Sequence, residues 1–379
     1  MVDGRRSWRL DVLRAVAVLL VIMRHDNLEA SFPSMLGTLV YYLNHVGWAG
    51  VDLFFVLSGY LVSGLLFTEM MRDGNVRIGR FLVRRGFKIY PSFYVFLALT
   101  FLGFSVRGIR IGLGVILHEL LFVQNYFQGI AIHTWSLEAE EHFYLLLAIS
   151  FALFGRHLVK RKVFVPLWVT LVLGILVERI IALYLGYSPK ALSFQTHFRI
   201  DGLVAGVGLA YLVHVEKVRL QFSRLARWVI GGLGALAITP GFILEHSHPF
   251  MVTFGFTMMW VGALMFVVLA VAPIKDRMPS GIEKVLAYIG QHSYSIYLWH
   301  FSMGFFVVAT PLKVLLYEAS FLHGISYVTL LVVTGIVMAK VVEFPMLRVR
   351  ERYFGDKTKK DNSRTGKASS APRPKTRAS

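Results

Sequence analysis

Arg14 and His25 both lie in one apolar segment, LDVLRAVAVLLVIMRH, residues 10–25. On a helix, eleven steps at about 100° and 1.5 Å each make three turns plus about 20° and rise about 16 Å. The two side chains therefore share one face. An ionisable group near the middle of a membrane helix costs roughly 2.5–3.5 kcal/mol or more, so in a bilayer that face must line a cavity rather than lipid. An imidazole with a pKa near ~6.5 can take the proton of an attacking hydroxyl, which is worth about 10²–10⁴ in rate, or it can carry the transferred group itself. An arginine on the same face offers forked hydrogen bonds to a phosphate.

The element that must position this pair is a membrane helix in a bundle. Hydrophobic residues make up 56% of the 379 and charged residues only 16%, with a mean hydropathy of +0.60. A soluble chain of this length carries far more charge. At about 20 apolar residues per crossing, ten spans are expected: 8–26, 48–70, 91–107, 139–155, 163–185, 202–214, 226–243, 251–272, 288–311 and 325–343. The span at 202–214 is short. Residues 111–123 are apolar but contain His118 and Glu119, and read as re-entrant or interfacial. The expected fold is thus all-α, a polytopic helical bundle formed by residues 1–350 and followed by a basic, disordered cytoplasmic tail over 351–379.

Charge placement fixes the expected orientation. With a cytoplasmic N terminus, only Arg107, Arg110, Lys190, Arg199 and Lys313 fall on the far side, and Arg14, Arg24, Arg179 and Lys340 fall within spans; the rest of the 40 Lys and Arg residues are cytoplasmic. Both termini should face the cytoplasm. The same pattern accounts for the net charge of +18 without a nucleic-acid partner. No small-residue cleavage pattern follows the first apolar run, so that span is expected to be retained. The absence of cysteine excludes disulfides, thiolate metal sites and an acyl-cysteine intermediate within this sequence. His246 and His248 lack the spacing and companions of a metal site, and no metal is expected.

The segment at 10–25, with Arg, ten residues and then His, resembles the opening motif of the bacterial membrane acyltransferase-3 family. Six further matches follow in the family's order: GVDLFFVLSGYL at 50–61, FLVRRGFKIYP at 81–91, HTWSLEAEEHFYLL at 133–146, FRIDGLVAG at 198–206, GQHSYSIYLWH at 290–300 and VEFP at 342–345. One such motif is weak, but seven in order, over about residues 8–348, are specific. Two departures stand out. Lys88 occupies a position where the family commonly has arginine, which replaces a planar fork by a point charge. No hydrolase-like domain follows the last span in this sequence, so transfer is expected to be completed by the membrane domain or by a separate partner.

The resemblance implies transfer of an acyl group from acyl-coenzyme A, acetyl-coenzyme A being the expected co-substrate with no bound cofactor, in a bacterial inner membrane. His25 is then the expected base or acyl carrier, and Arg14 sits nearer the donor phosphates on the same face. Arg84, Arg85 and Lys88 precede the third span and suit the nucleotide phosphates, although topology and lipid headgroups would use the same residues. Asp52 and Glu140 lie within matched motifs, and either can orient His25 and stabilise its imidazolium. Glu138 suits helix capping, Ser58 and Ser136 suit helix packing, and His300 and Glu343 suit a structural role as well as a catalytic one.

Arg199 and Asp201 either pair with each other or contact the acceptor, and Trp135 offers a ring on which a sugar could stack. Trp48 and Tyr126 offer similar rings, which an interfacial aromatic belt explains equally well. The family resemblance points to a carbohydrate or glycolipid acceptor such as a surface polysaccharide, with macrolides and other non-sugar acceptors as the alternative. A polytopic transporter would also bury Arg, His and Asp, but it predicts paired repeats with broken helices, which this sequence lacks. A non-catalytic scaffold predicts no need for Arg14 or His25. Their separation along the helix places donor entry on the cytoplasmic side and acceptor entry on the other.

Overall fold

The computed structural model describes residues 7–25, 34–274, 277–308 and 321–354, and all regular structure among them is helical. The first half comprises α1 (Trp8–His25), α2 (Ser34–Val46), α3 (Ala49–Asp73), α4 (Ile78–Val106), α5 (Leu113–Leu120), α6 (Trp135–Leu158), α7 (Arg161–Tyr184), α8 (Pro189–Phe194) and α9 (Thr196–Arg199). The second half comprises α10 (Asp201–His214), α11 (Arg224–Ala237), α12 (Pro240–Ile243), α13 (Phe256–Val271), α14 (Gly281–Gln291), α15 (Ser293–Val308), α16 (Phe321–Met338) and α17 (Phe344–Phe354). Short π-helical turns at Met251–Gly255 and Ala339–Glu343 lead into α13 and α17.

Every expected span falls on a helix over its described part, and among the described residues six helical stretches are long and apolar enough to cross a membrane. They are Ala49–Asp73, Ile78–Val106, Arg161–Tyr184, Arg224–Ile243, Met251–Val271 and Ile325–Phe354. The remaining expected spans are α1, α6, α10 and α15. The apolar character is cut by Arg9, Asp11, Arg14 and Arg24 in α1 and by Glu138, Glu140, Glu141 and Arg156 in α6; α10 is short, at 14 residues, and the expected span of α15 runs on past residue 308, outside the described residues.

Several boundaries differ from those expected, each for a physical reason. The third span was placed from residue 91, yet α4 begins at Ile78 and carries Pro91 inside it. Its first turns hold Arg80, Arg84, Arg85 and Lys88, so hydropathy does not register them as part of a spanning helix. The expected span at 288–311 begins instead at Ser293, because the preceding GIEKVLAYIGQ forms a separate helix, α14, started by a reciprocal Ser280–Glu283 capping box. In the stretch 226–243, α11 ends at Ala237 and Pro240 opens the short α12. Helix α2 was not expected. Residues 351–354, placed in the disordered tail, are helical as the end of α17; the rest of the tail, Lys313 and the first six residues lie outside the described residues.

Glycines set the closest packing. A Cβ at Gly59 would lie 2.1 Å from the Leu203 carbonyl oxygen, and one at Gly206 would lie 2.3 Å from that of Val56, so α3 and α10 touch backbone to backbone. At Gly290 a Cβ would lie 1.7 Å from the Asp11 oxygen, which is how α14 seats against α1. The C-terminal carbonyls after α13 are satisfied by arginines: Arg9 donates to Leu269 and Ala272, and Arg227 donates to Pro273 at 2.7 Å.

The connection after α4 folds back along it. Phe122 stacks on Phe93 with centroids 4.3 Å apart, at a point about thirteen residues, or roughly 20 Å of helix, before α4 ends. The segment expected to be re-entrant or interfacial thus packs back against α4. It brings His133 and Thr134, both buried, into the bundle at the head of α6.

Candidate active site

A cavity of about 250 Å³ opens among α1, α3, α4, α6, α14 and α15. Arg14 of α1, Ser58 of α3, and Arg85 and Lys88 of α4 line it. Glu140 and Tyr144 enter from α6, and Tyr294 and Tyr297 from α15. Both Glu140 oxygens accept neutral donors, Ser58 at 2.9 Å and Tyr144 at 2.7 Å. The Arg85 guanidinium lies 5.2 Å from the centre of the Tyr144 ring, with no carboxylate within ion-pair distance among the described residues. Arg14 holds Asp11 at 2.9 Å and keeps 29% of its side chain exposed. The arrangement can receive an anionic molecule at Arg14 and Arg85 and offer it neutral polar groups further in.

At the inner end stands Tyr297, whose hydroxyl meets Ser136 at 2.5 Å and donates to the His133 carbonyl at 2.5 Å. Ser58 and Ser136, read from sequence as packing residues, therefore belong to the cavity wall as well. Beyond Tyr297 three histidines meet. The His25 and His300 ring centroids are 5.0 Å apart, and those of His300 and His133 are 5.2 Å apart. His25 donates from Nδ1 to the Val21 carbonyl at 2.9 Å, and the same atom lies 3.2 Å from His300 Nε2. His133 donates from Nε2 to Leu298 at 3.1 Å. His25 is exposed, whereas His133 and His300 are buried. His133 was not singled out from sequence although it opens the matched motif at 133–146, because its meeting with His25 and His300 is a long-range contact.

Neither carboxylate offered as an orienter of His25 touches it. Glu140 is held in the cavity by Ser58 and Tyr144. Asp52, at the start of α3, pairs with Arg199 at 3.0 Å. The side chain beside His25 Nδ1 is His300, at 3.2 Å.

Arg199 and Asp201 do not pair with each other, since α9 and α10 turn them to different partners. Arg199 takes Asp52, and Asp201 takes Arg179 at 2.9 Å and the Trp260 indole at 2.8 Å. All four charged side chains are 0–1% exposed, with the Arg199 guanidinium 3.7 Å from the Phe256 ring centre. They balance two cations against two anions and are sealed from an acceptor. Trp135 is likewise only 5% exposed and packs against Trp48, Phe55 and Phe194, so it offers no open stacking surface.

The basic run before Pro91 divides three ways. Arg85 lines the cavity. Lys88 also lines it but is bound to the buried carboxylate of Glu343, which accepts a further bond from Ser295 at 2.7 Å, so Lys88 ties α4 to the π-helical turn. Arg84 turns away, 43% exposed and 3.8 Å from Glu351. Glu138 accepts from the Asn125 backbone at 2.6 Å and so anchors the re-entrant connection rather than capping α6. Among the described residues no His, Asp or Glu cluster is arranged to hold a metal.

Comparison with known proteins accords with this geometry. The family described as an acyltransferase domain matches residues 7–342. The peptidoglycan O-acetyltransferase OatA of Listeria monocytogenes is 26% identical over 318 residues, covering 77% of this chain and 48% of the relative. The O-acetyltransferase OatA of Staphylococcus aureus is 29% identical over 318 residues, covering 79% and 50%. The chain thus spans about half the length of these curated relatives. No solved structure matches it.

Proposed function

The chain belongs to the acyltransferase-3 family, and from that premise we propose that it is a multi-pass membrane O-acetyltransferase moving an acetyl group from acetyl-coenzyme A to a glycan hydroxyl. One observation carries the reading. The cavity presents Arg14 and Arg85 and is lined by Tyr297 as well, whose ring packs against His133 and His300; His300 in turn meets His25, which does not itself line the cavity. A coenzyme A thioester has its phosphates at one end and its reactive carbonyl at the other, so a long donor matches the two ends of this path.

In the proposed reaction the acceptor hydroxyl oxygen attacks the thioester carbonyl carbon while His25 Nε2 takes its proton. The carbon–sulfur bond breaks, the ester forms, and the coenzyme A thiolate leaves and recovers the proton from the imidazolium. An acyl-histidine route would use the same nitrogen as nucleophile. Lys88 contributes indirectly, through its pairing with Glu343. The names of the relatives support a glycan as acceptor class.

The same reading takes the ten helices at expected spans as crossings of an inner membrane, with both termini cytoplasmic. Donor then enters from the cytoplasm and acceptor from the opposite face. The test uses purified chain in sealed vesicles of known orientation, with acetyl-coenzyme A and a membrane-impermeant chito-oligosaccharide. Release of coenzyme A with acetylation of the sugar is expected only when donor is on the cytoplasmic face and sugar on the other. Acetylation of sugar supplied solely on the cytoplasmic face would overturn the transmembrane version. Absence of coenzyme A release in every arrangement, including detergent solution, would overturn the donor and acceptor pair.

A further inference from the structure

The geometry points to His300 as the positioning residue for His25, an inference that rests on the acetyltransferase reading above. A backbone carbonyl can only accept, so the two carbonyl contacts assign both rings. His300 Nδ1 lies 2.6 Å from the Tyr297 carbonyl and must carry its proton there, which leaves Nε2 with a lone pair. His25 Nδ1 lies 2.9 Å from the Val21 carbonyl and must also be protonated. That single N–H is shared between the Val21 carbonyl and His300 Nε2, the longer arm being 3.2 Å, so donor still meets acceptor and the two assignments agree.

Two consequences follow for the reaction. His25 Nε2 is left as the basic nitrogen, the state a proton acceptor or a nucleophile requires. When that nitrogen takes up a proton, the Nδ1–H bond to His300 becomes charge-assisted and roughly twice as strong as a neutral one. His300 thus plays, with a neutral imidazole, the part sequence reasoning gave to Asp52 or Glu140.

The surroundings hold His300 in that pose. The ring is 1% exposed, and His133 packs against it at an interplanar angle of 82°. Its Nδ1 acceptor is the backbone of the tyrosine that closes the donor cavity, so the orientation of the base is tied to the wall the acyl end must approach. His133 itself is held by the Tyr297 hydroxyl through its carbonyl and by Leu298 through its ring.

The experiment compares His300→Ala and His300→Gln, whose amide oxygen can accept from His25 Nδ1–H, in purified chain with acetyl-coenzyme A and chito-oligosaccharide. Loss of one charge-assisted bond predicts a fall in kcat of about 10–100-fold for His300→Ala at unchanged KM for acetyl-coenzyme A, with most of it recovered in His300→Gln. In a His25→Ala background, His300→Ala should cost nothing further. A second measurement needs no turnover: in ¹⁵N-histidine-labelled wild type, a through-hydrogen-bond coupling should join a protonated His25 Nδ1 to an unprotonated His300 Nε2. Wild-type kinetics in both variants, equal losses in both, an additional loss in the His25→Ala background, or a His25 protonated on Nε2 would each overturn the assignment. Failure of the wild type itself to release coenzyme A with this sugar would instead strike the parent reading and this inference together.

Discussion

Two polar clusters sit inside this apolar bundle, and they are built on opposite principles. Around Asp52, Arg179, Arg199 and Asp201 every charge is matched and every side chain is 0–1% exposed. Around the cavity, Arg14 and Lys88 keep 29% and 31% of their side chains exposed, and Arg85 faces an aromatic ring rather than a carboxylate. Both clusters draw on matched motifs. Exposure at all three cations, and at Arg85 an aromatic ring in place of an ion pair, rather than residue type, separate a site that can receive a ligand from one that locks helices together.

The largest effect should come from breaking the lock. Arg199→Ala or Asp52→Ala strands a buried charge, and loss of one partner of such a pair costs about 3–5 kcal/mol. Arg199 already has its Nε and Nη1 without a hydrogen-bond partner among the described residues, so the cluster has little slack. Both variants should lose folded protein in a detergent melt. The double replacement Asp52→Leu with Arg199→Met removes both charges and should recover most of the stability. Full coenzyme A release by that double variant would place both residues outside the chemistry; a folded but inactive one would return them to it.

His25→Ala should do the reverse, leaving the melt intact while lowering turnover about 10²-fold or more. Near-normal turnover at normal expression would remove His25 from the mechanism.

Much of this contrast was legible beforehand, and the part that was not has a physical reason. Helix α1 and the shared face of Arg14 and His25 follow from local spacing alone. In α1 and α6 the apolar run is interrupted in part by residues of the site, Arg14 and Glu140, so hydropathy is weakened there by the groups that matter. Pairing is a different matter. Asp52 and Arg199 are 147 positions apart, and His25 and His300 are 275 apart. No periodicity encodes which carboxylate finds which cation, so the motif placed Asp52 near the centre but could not reveal that Arg199 would claim it. The pairing of Lys88 with Glu343 was hidden for the same reason, the two being 255 positions apart.

Among the cations of the cavity the comparison sharpens further. Arg85→Ala should raise KM for acetyl-coenzyme A about tenfold or more with kcat little changed, the expected loss of a charge-assisted contact made equally in ground and transition states. Lys88→Ala should act mainly on stability, since it leaves the Glu343 carboxylate buried without its cation. Lys88→Arg keeps the charge and should be tolerated. A KM effect confined to Lys88, with Arg85→Ala silent, would invert this assignment of phosphate contact and structural tie.

The smallest effect concerns the rim, where α14 seats on α1. The Ser280 backbone N–H holds the Glu283 carboxyl below its ordinary value of 4.5, with Arg277 adding to the effect. A depressed carboxyl contributes stability that is fully present above the unfolded value and is lost as pH falls through the folded one. Amide protection along Gly281–Gln291 should therefore hold at neutral pH and weaken a few-fold below about pH 4. Glu283→Gln keeps an acceptor for the capping box but removes the charge, so at neutral pH it should show the weaker protection that the wild type reaches only in acid. Gly290 and Gln291 line the cavity, so if it takes the donor as proposed, loosening α14 should also raise KM for acetyl-coenzyme A slightly in that variant. Protection in α14 that ignores both pH and Glu283→Gln would show that its seat against α1, made through Gly290, holds the helix without help from its cap.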